Sequence, residues 1–372
     1  MKAKVLFVII FLCSTTFFGQ KKFCDTIPFR NDLGLIIIPI TYNGQEKNFI
    51  FDTGASYSIG FSWVKDELKA TNKTKIMTSS SKSKFKLRYY KTDSVTLGSA
   101  KITKHRILGT KDSDIFSCYG VDGVLGMDIM ANFNWHINFK DQYIVMLDSD
   151  YFPPNIDSEM HALDFVYENR RPWAFFDVLG ERIQFLLDTG ATNSDIYIRY
   201  KNIFKNLDAS SMKEVHSGFF DFNGIFSKTK SRTMKIPEIT SKSVKLTPIM
   251  DFSKKNSKIG NSSWEDASLF ISVKNDKLYC STNHIVESLS SYGCSFTVNA
   301  NKIIVSKIQV NSIAWEEGLR QGSEVLEING KRFDNFCNIY TYQKEIAKQK
   351  NKLNVTLKDG KTITLNHKLL FE

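Results

Sequence analysis

Two aspartates stand in matching surroundings 136 residues apart (188 − 52 = 136). The first lies in Phe49-Ile50-Phe51-Asp52-Thr53-Gly54-Ala55-Ser56, the second in Phe185-Leu186-Leu187-Asp188-Thr189-Gly190-Ala191-Thr192. Two carboxylates brought face to face by an approximate twofold axis cannot both ionise cheaply. One keeps a proton and the other loses it, so the pair holds an acid and a base at one pH. A water held between them would give a proton to one while the other protonates the carbonyl oxygen of an amide. Thr53 and Thr189 supply hydroxyls able to lock the two loops, and Gly54 and Gly190 let backbone approach without a side chain. A single Asp-Thr-Gly reads equally well as a plain turn. Two copies with matched flanks favour the chemical reading.

The elements that must position these aspartates repeat as well. Gly44 and Gly180 each precede their aspartate by eight residues, and Phe29 matches Phe165 at the same offset. Downstream, Gly123-Val124-Leu125-Gly126-Met127 has its counterpart in Lys258-Ile259-Gly260-Asn261. Thirteen residues after Gly126 comes FKDQYIVM, and thirteen after Gly260 comes VKNDKLYC. The offset is then 134 (260 − 126), so a two-residue deletion separates the copies. Apolar runs such as LIIIPI, FIFD and YIVML, with AFFDV, FLLD and LFISV, are short and bounded by Gly, Asn, Asp or Ser, which predicts strands. Short helices are expected only in places, at 62–70 and around 128–133. The predicted fold class is mainly β: two duplicated lobes, 20–150 and 151–285, joined by the polar stretch 148–160.

The paired Asp-Thr-Gly-Ala-Ser/Thr motifs and the later Val124-Leu125-Gly126 and Lys258-Ile259-Gly260 elements resemble the pepsin-like and retropepsin-like aspartic proteases. The resemblance covers about residues 27–282. It implies a bilobal fold of six-stranded-barrel-like lobes, with the Gly elements packed beside the Asp loops in a ψ-shaped structure. It also implies that Asp52 and Asp188 are catalytic, that Thr53 and Thr189 cross-link the loops, and that the substrate is a peptide or protein. No cofactor and no metal are implied. Because both motifs sit on one chain, the expected active site is monomeric. Lys258 departs from the apolar pattern. Ala55 and Ala191 leave the dyad without a hydroxyl donor, so its pKa values should be less depressed and the pH optimum mildly acidic to neutral. Flaps are expected at 77–87 and 217–226, the latter a hairpin with Asn223-Gly224 at its tip. There Phe219, Phe220 and Phe222 either contact substrate or pack within the lobe.

From 289 to 372 a new pattern begins. Tyr292-Gly293-Cys294-Ser295-Phe296 leads into strands, and Ala314-Trp315-Glu316-Glu317-Gly318-Leu319 precedes Ile328-Asn329-Gly330. This segment resembles the PDZ domain, an α+β module, with Ser323 where that family usually has Asp. The resemblance implies that Gly293, Cys294, Ser295 and Phe296 form a loop whose N–H groups capture a peptide C-terminus. The peptide would add as a strand at the edge beginning with Phe296, with a helix at 340–349 as the other wall. A module without a ligand is the alternative.

Composition limits the other possibilities. The 372 residues carry a formal charge of +11, yet the basic residues are scattered among Ser and Asn without a nucleic-acid module. The charge therefore reads as solvated surface rather than nucleic-acid binding. Lys2 and Lys4, an apolar run at 5–13 and Phe18-Gly19-Gln20 read as a signal peptide cleaved after residue 19. The run is too short for a membrane span. Export is expected, to the periplasm first, with secretion or lipid anchoring at Cys13 as alternatives. The five remaining cysteines (24, 118, 280, 294, 337) form no disulfide framework whose pairing can be read, and His and Cys lack metal-ligand spacing. A nucleophile elbow is absent, since no Gly stands two residues beyond Ser56. The readings left are an aspartic endopeptidase and an inert peptide-binding or scaffolding protein on the same fold.

Overall fold

The duplicated glycines mark two equivalent hairpins. Asn43 and Gly44, at φ 49° and 87°, turn Leu35–Tyr42 back into Gln45–Phe51, and Leu179 and Gly180, at φ 47° and 86°, turn Arg171–Val178 into Glu181–Leu187. Two successive residues at positive φ give the turn whose twist matches the flanking strands. Each hairpin delivers a buried, β-branched and aromatic strand that ends immediately before an aspartate. The structure is a computed structural model that describes residues 24–32, 34–78, 84–112, 114–220, 226–254 and 256–371. The expected signal peptide and Cys13 lie outside the described residues.

Six antiparallel strands form the seam between the lobes, in the order Cys24–Pro28, Tyr143–Asp148, Phe133–Asn138, Ser268–Ser272, Lys277–Cys280 and His161–Glu168. At its centre His136 pairs with Phe270. That spacing is the 134-residue offset itself (136 + 134 = 270), so the pseudo-twofold axis passes between a residue and its own duplicate. The buried cluster beneath draws Ile38, Phe49 and Trp135 from the first lobe and Phe176, Phe185 and Trp264 from the second. The lobes thus share one core instead of closing two separate ones.

The fold is mainly β, with a curled half-barrel sheet consistent with the expected aspartic-protease class. The six-stranded unit lies between the lobes, and the first lobe carries its own curled sheet of ten strands among the described residues. The helices Trp63–Glu67 and Met127–Met130 are single turns at the expected places, and a further one, Ile156–Glu159, stands in the inter-lobe stretch. Among the described residues no helix is long and apolar enough to cross a membrane.

The C-terminal module has a buried cluster of its own, with Phe296, Val305, Ile308, Leu319, Ile328, Ile339, Val355 and Leu365 at its centre. Its long helix, Phe336–Gln349, starts four residues earlier than expected, where the Asn335 side chain accepts the N–H of Asn338 as an N-cap. The module is fastened to both lobes. Its strand Lys302–Gln309 pairs with Met212–Phe220 of the second lobe, with His216 opposite Ile308. A disulfide joins Cys118 of the first lobe to Cys337 at the helix start, Cα–Cα 5.4 Å. Cys24 is free and exposed, whereas Cys280 and Cys294 are free and buried.

Candidate active site

Each aspartate is fixed by a strand end and a Gly element. Gln45–Phe51 runs parallel to Gly123–Leu125, and the N–H of Asp52 donates to the carbonyl of Leu125 at 3.0 Å. In the second lobe Glu181–Leu187 runs parallel to Lys258–Ile259, and the N–H of Asp188 donates to Ile259 at 3.0 Å. Gly126 and Gly260 follow, and neither could carry a side chain. A Cβ on Gly126 would stand 2.5 Å from the Tyr57 carbonyl carbon, and one on Gly260 would stand 2.5 Å from the Asn193 oxygen.

The loops are then locked to each other. The Thr53 N–H donates to Thr189 Oγ1 and the Thr189 N–H donates to Thr53 Oγ1, each at 3.0 Å. In the same sense, Thr53 Oγ1 donates to the Leu187 carbonyl at 2.5 Å and Thr189 Oγ1 to the Phe51 carbonyl at 2.7 Å. Both threonines are 1% exposed, so water does not compete for these bonds. The lock presses each glycine against the opposite carboxylate. A Cβ on Gly54 would lie 2.5 Å from Asp188 Oδ1, and one on Gly190 would lie 2.1 Å from Asp52 Cγ.

Asp52 and Asp188 are half-buried and hydrogen-bonded to each other. Burial first, and the Asp188 charge second, push the Asp52 carboxyl up to about 8, against the N–H groups of Ala55 and Gly54, which favour its anion. The Ala55 N–H reaches Asp52 Oδ1 at 3.0 Å. A pair so placed holds a proton at neutral pH, which is the state that supplies an acid and a base together.

Two serines outside the sequence reading complete the frame. Ser58 Oγ accepts the Gly126 N–H and Ser194 Oγ accepts the Gly260 N–H, both at 3.0 Å. They are themselves 136 apart (194 − 58), so the repeat offset was the signal that could have found them. Turns also cross between lobes. Gly34 lies against Thr192, and at the duplicated position (34 + 136 = 170) Arg170 lies over the Tyr57 ring at 4.8 Å. Asn261 Nδ2 bridges the lobes by donating to both Gly34 and Thr189 carbonyls at 2.9 Å.

Both expected flaps fall on hairpins. The first is Lys69–Thr78 with Lys84–Lys91, and it brings Lys75 Nζ to 4.9 Å from the Tyr57 ring. The second is Met212–Phe220 with Phe226–Lys235. Phe219 and Phe220 end its first strand, while Phe222, Asn223-Gly224 and the first hairpin's 79–83 lie outside the described residues.

The C-terminal residues are arranged differently from the expectation. Gly293 takes φ 76° against Ser312 and its carbonyl accepts the Gln309 N–H at 2.8 Å. Cys294 is buried, with its thiol pushed up to about 12 by desolvation, and Ser295 is exposed. The Phe296 edge, expected open to an added strand, is taken. Its N–H donates to Gln343 Oε1 at 2.7 Å and its carbonyl accepts Gln343 Nε2 at 2.9 Å. A glutamine two turns into the facing helix wall reaches across and mimics a peptide strand, so any incoming strand must first displace it.

Residues 38–129 match the family model for aspartyl proteases. The matched segment contains Asp52, Thr53, Gly54 and the Gly126 element, and it lies within the first lobe. No curated protein matches the chain. The family match supports a hydrolase of the aspartic-protease kind. Among the described residues, no group of three or more His, Cys, Asp and Glu is arranged to hold a metal ion.

Proposed function

We propose that the protein is an aspartic endopeptidase whose dyad is Asp52 and Asp188. The observation that carries this reading is the reciprocal Thr53–Thr189 lock, which sets each carboxylate against the other lobe's glycine. In the reaction the ionised carboxylate takes a proton from a water held between the pair. The water oxygen bonds to the carbonyl carbon of the peptide, and the protonated carboxyl gives its proton to the carbonyl oxygen. The resulting diol collapses as a proton passes to the amide nitrogen, the C–N bond breaks, and an acid and an amine leave. No bond forms between substrate and enzyme. Both carboxylates come from one chain, which supports a monomeric active site.

The C-terminal module, PDZ-like in its sequence, regulates access in this reading, because its strand pairs with the second flap hairpin. It binds a peptide only after Gln343 releases Phe296. Export to an oxidising compartment is part of the proposal and is supported by the Cys118–Cys337 disulfide.

The test is cleavage of a peptide library by the purified protein between about pH 3 and 8. Internal cuts should appear and fall by about 10²–10⁴-fold in Asp52→Asn and in Asp188→Asn. Cleavage that survives both substitutions, or a folded protein that binds peptides without cutting them, would sink the reading in favour of an inert binder.

A further inference from the structure

One difference between the two lobes beside the dyad changes charge and pairing together. In the first lobe Val124 pairs across strands with Ile59, an apolar contact. In the second lobe the duplicated residues are Lys258 (124 + 134) and Asp195 (59 + 136), which also pair across strands. Lys258 Nζ lies 3.6 Å from Asp195 Oδ2, and the side chains keep only 28% and 24% of their surface exposed. Lys258 is opposite Leu186 and next to Ile259, whose carbonyl holds the Asp188 N–H. A cation has therefore replaced an apolar side chain in the Asp188 half of the site.

We propose that Lys258 is a positioning residue that breaks the symmetry of the dyad, holding the negative charge on Asp188 and leaving the shared proton on Asp52. Resting on the peptidase reading, this assigns Asp188 as the base that activates water and Asp52 as the acid that protonates the carbonyl. The charged groups facing Lys258 are Asp195, Asp188 and Asp52, in falling order of their attraction. Despite the cost of desolvating the ammonium, these carboxylates raise its pKa, so it stays charged. Burial pushes Asp195 up to about 6 even though Lys258 opposes this, with Asp251 on the neighbouring strand adding to the rise. Asp251 accepts the Thr233 hydroxyl. Below about pH 6, then, Asp195 takes a proton and the Lys258 charge is balanced by the dyad alone. The opposite charge favours the ionised form of the nearer carboxylate.

The deciding measurement is the carboxyl-carbon NMR titration of Asp52 and Asp188, assigned with Asp52→Asn and Asp188→Asn. Asp188 should ionise at lower pH than Asp52 in the parent protein. In Lys258→Val/Asp195→Ile, which transplants the first lobe's apolar pair, the separation should shrink by about one pH unit. The acid limb of cleavage should move up by a similar amount, about tenfold in rate at a fixed pH on that limb. Lys258→Arg, which keeps the charge, should retain the parent order. Earlier ionisation of Asp52 in the parent, or an unchanged separation in the double variant, overturns the inference. If the double variant does not fold, the parent order decides by itself. Absence of peptide cleavage with Asp188 still ionising first would defeat the peptidase reading and leave this one standing.

Discussion

At the scale of residues, the dyad converts a general rule about paired acids into a measurable pH dependence. The fold raises the Asp52 pKa from its ordinary 3.8 to about 8, through burial and the Asp188 charge. A carboxyl whose folded pKa is raised contributes stability that is fully present below the unfolded value. That contribution is lost as pH climbs through the folded value. Between about pH 4 and pH 8 the parent protein should therefore lose thermal stability relative to Asp52→Asn, which cannot ionise. Melting both proteins at several pH values checks this, and a constant difference in Tm would contradict it. From the same raised value, peptide cleavage is expected to be fastest at mildly acidic to neutral pH. A pH–rate profile peaking near pH 2 would contradict that assignment.

At the scale of elements, glycines separate two kinds of constraint. Gly44 sits at φ 87° in a hairpin turn with open space where a Cβ would go. Gly44→Ala should cost about 1–2 kcal/mol of stability through its left-handed backbone and leave cleavage nearly intact. Gly190 lies where a Cβ would meet Asp52 Cγ at 2.1 Å. Gly190→Ala must displace a carboxylate by a large fraction of an ångström, and cleavage should fall by about 100-fold with a smaller effect on folding. Denaturant titration alongside initial rates distinguishes the two, and matching profiles for both variants would refute the argument. The Gly44 and Gly180 turns could be read in the sequence because a two-residue hairpin needs particular residue types. The pairing of the Met212–Phe220 strand with Lys302–Gln309 could not, since edge strands carry no partner code in their backbone groups.

At the scale of the whole molecule, the C-terminal module spans from one lobe to the other. The disulfide holds its helix to the first lobe across 219 residues of chain, while strand pairing holds its sheet to the second lobe's Met212–Lys235 hairpin. Tyr119 meets Tyr340 edge-on at 5.8 Å, and Lys344 Nζ donates to the Asn31 carbonyl at 3.3 Å on the disulfide side. His216 meets the Trp315 ring edge-on at 5.2 Å on the hairpin side. In the chain-entropy picture, closing so long a loop stabilises by about 5 kcal/mol. Cys118→Ser/Cys337→Ser should lower Tm by several degrees, and the parent protein under reducing conditions should melt like the double variant. Equal melting of parent and double variant in the absence of reductant would show that the strand pairing alone fixes the module.

The sequence by itself determined the symmetry of this protein. Offsets of 136 and 134 name the residues that meet their duplicates: Asp52 with Asp188, Thr53 with Thr189, and His136 with Phe270 across the axis. A duplicated chain folding on itself has few other ways to bury two equal apolar faces. Tertiary structure decided whatever symmetry does not govern. Cys118 could have paired with any of four other cysteines, and Gln343 closes on Phe296 only because the helix is packed at that distance. Lys258 was visible as a departure from an apolar pattern. That it pairs with Asp195 beside one carboxylate depends on strand register, and only the folded sheet sets that register.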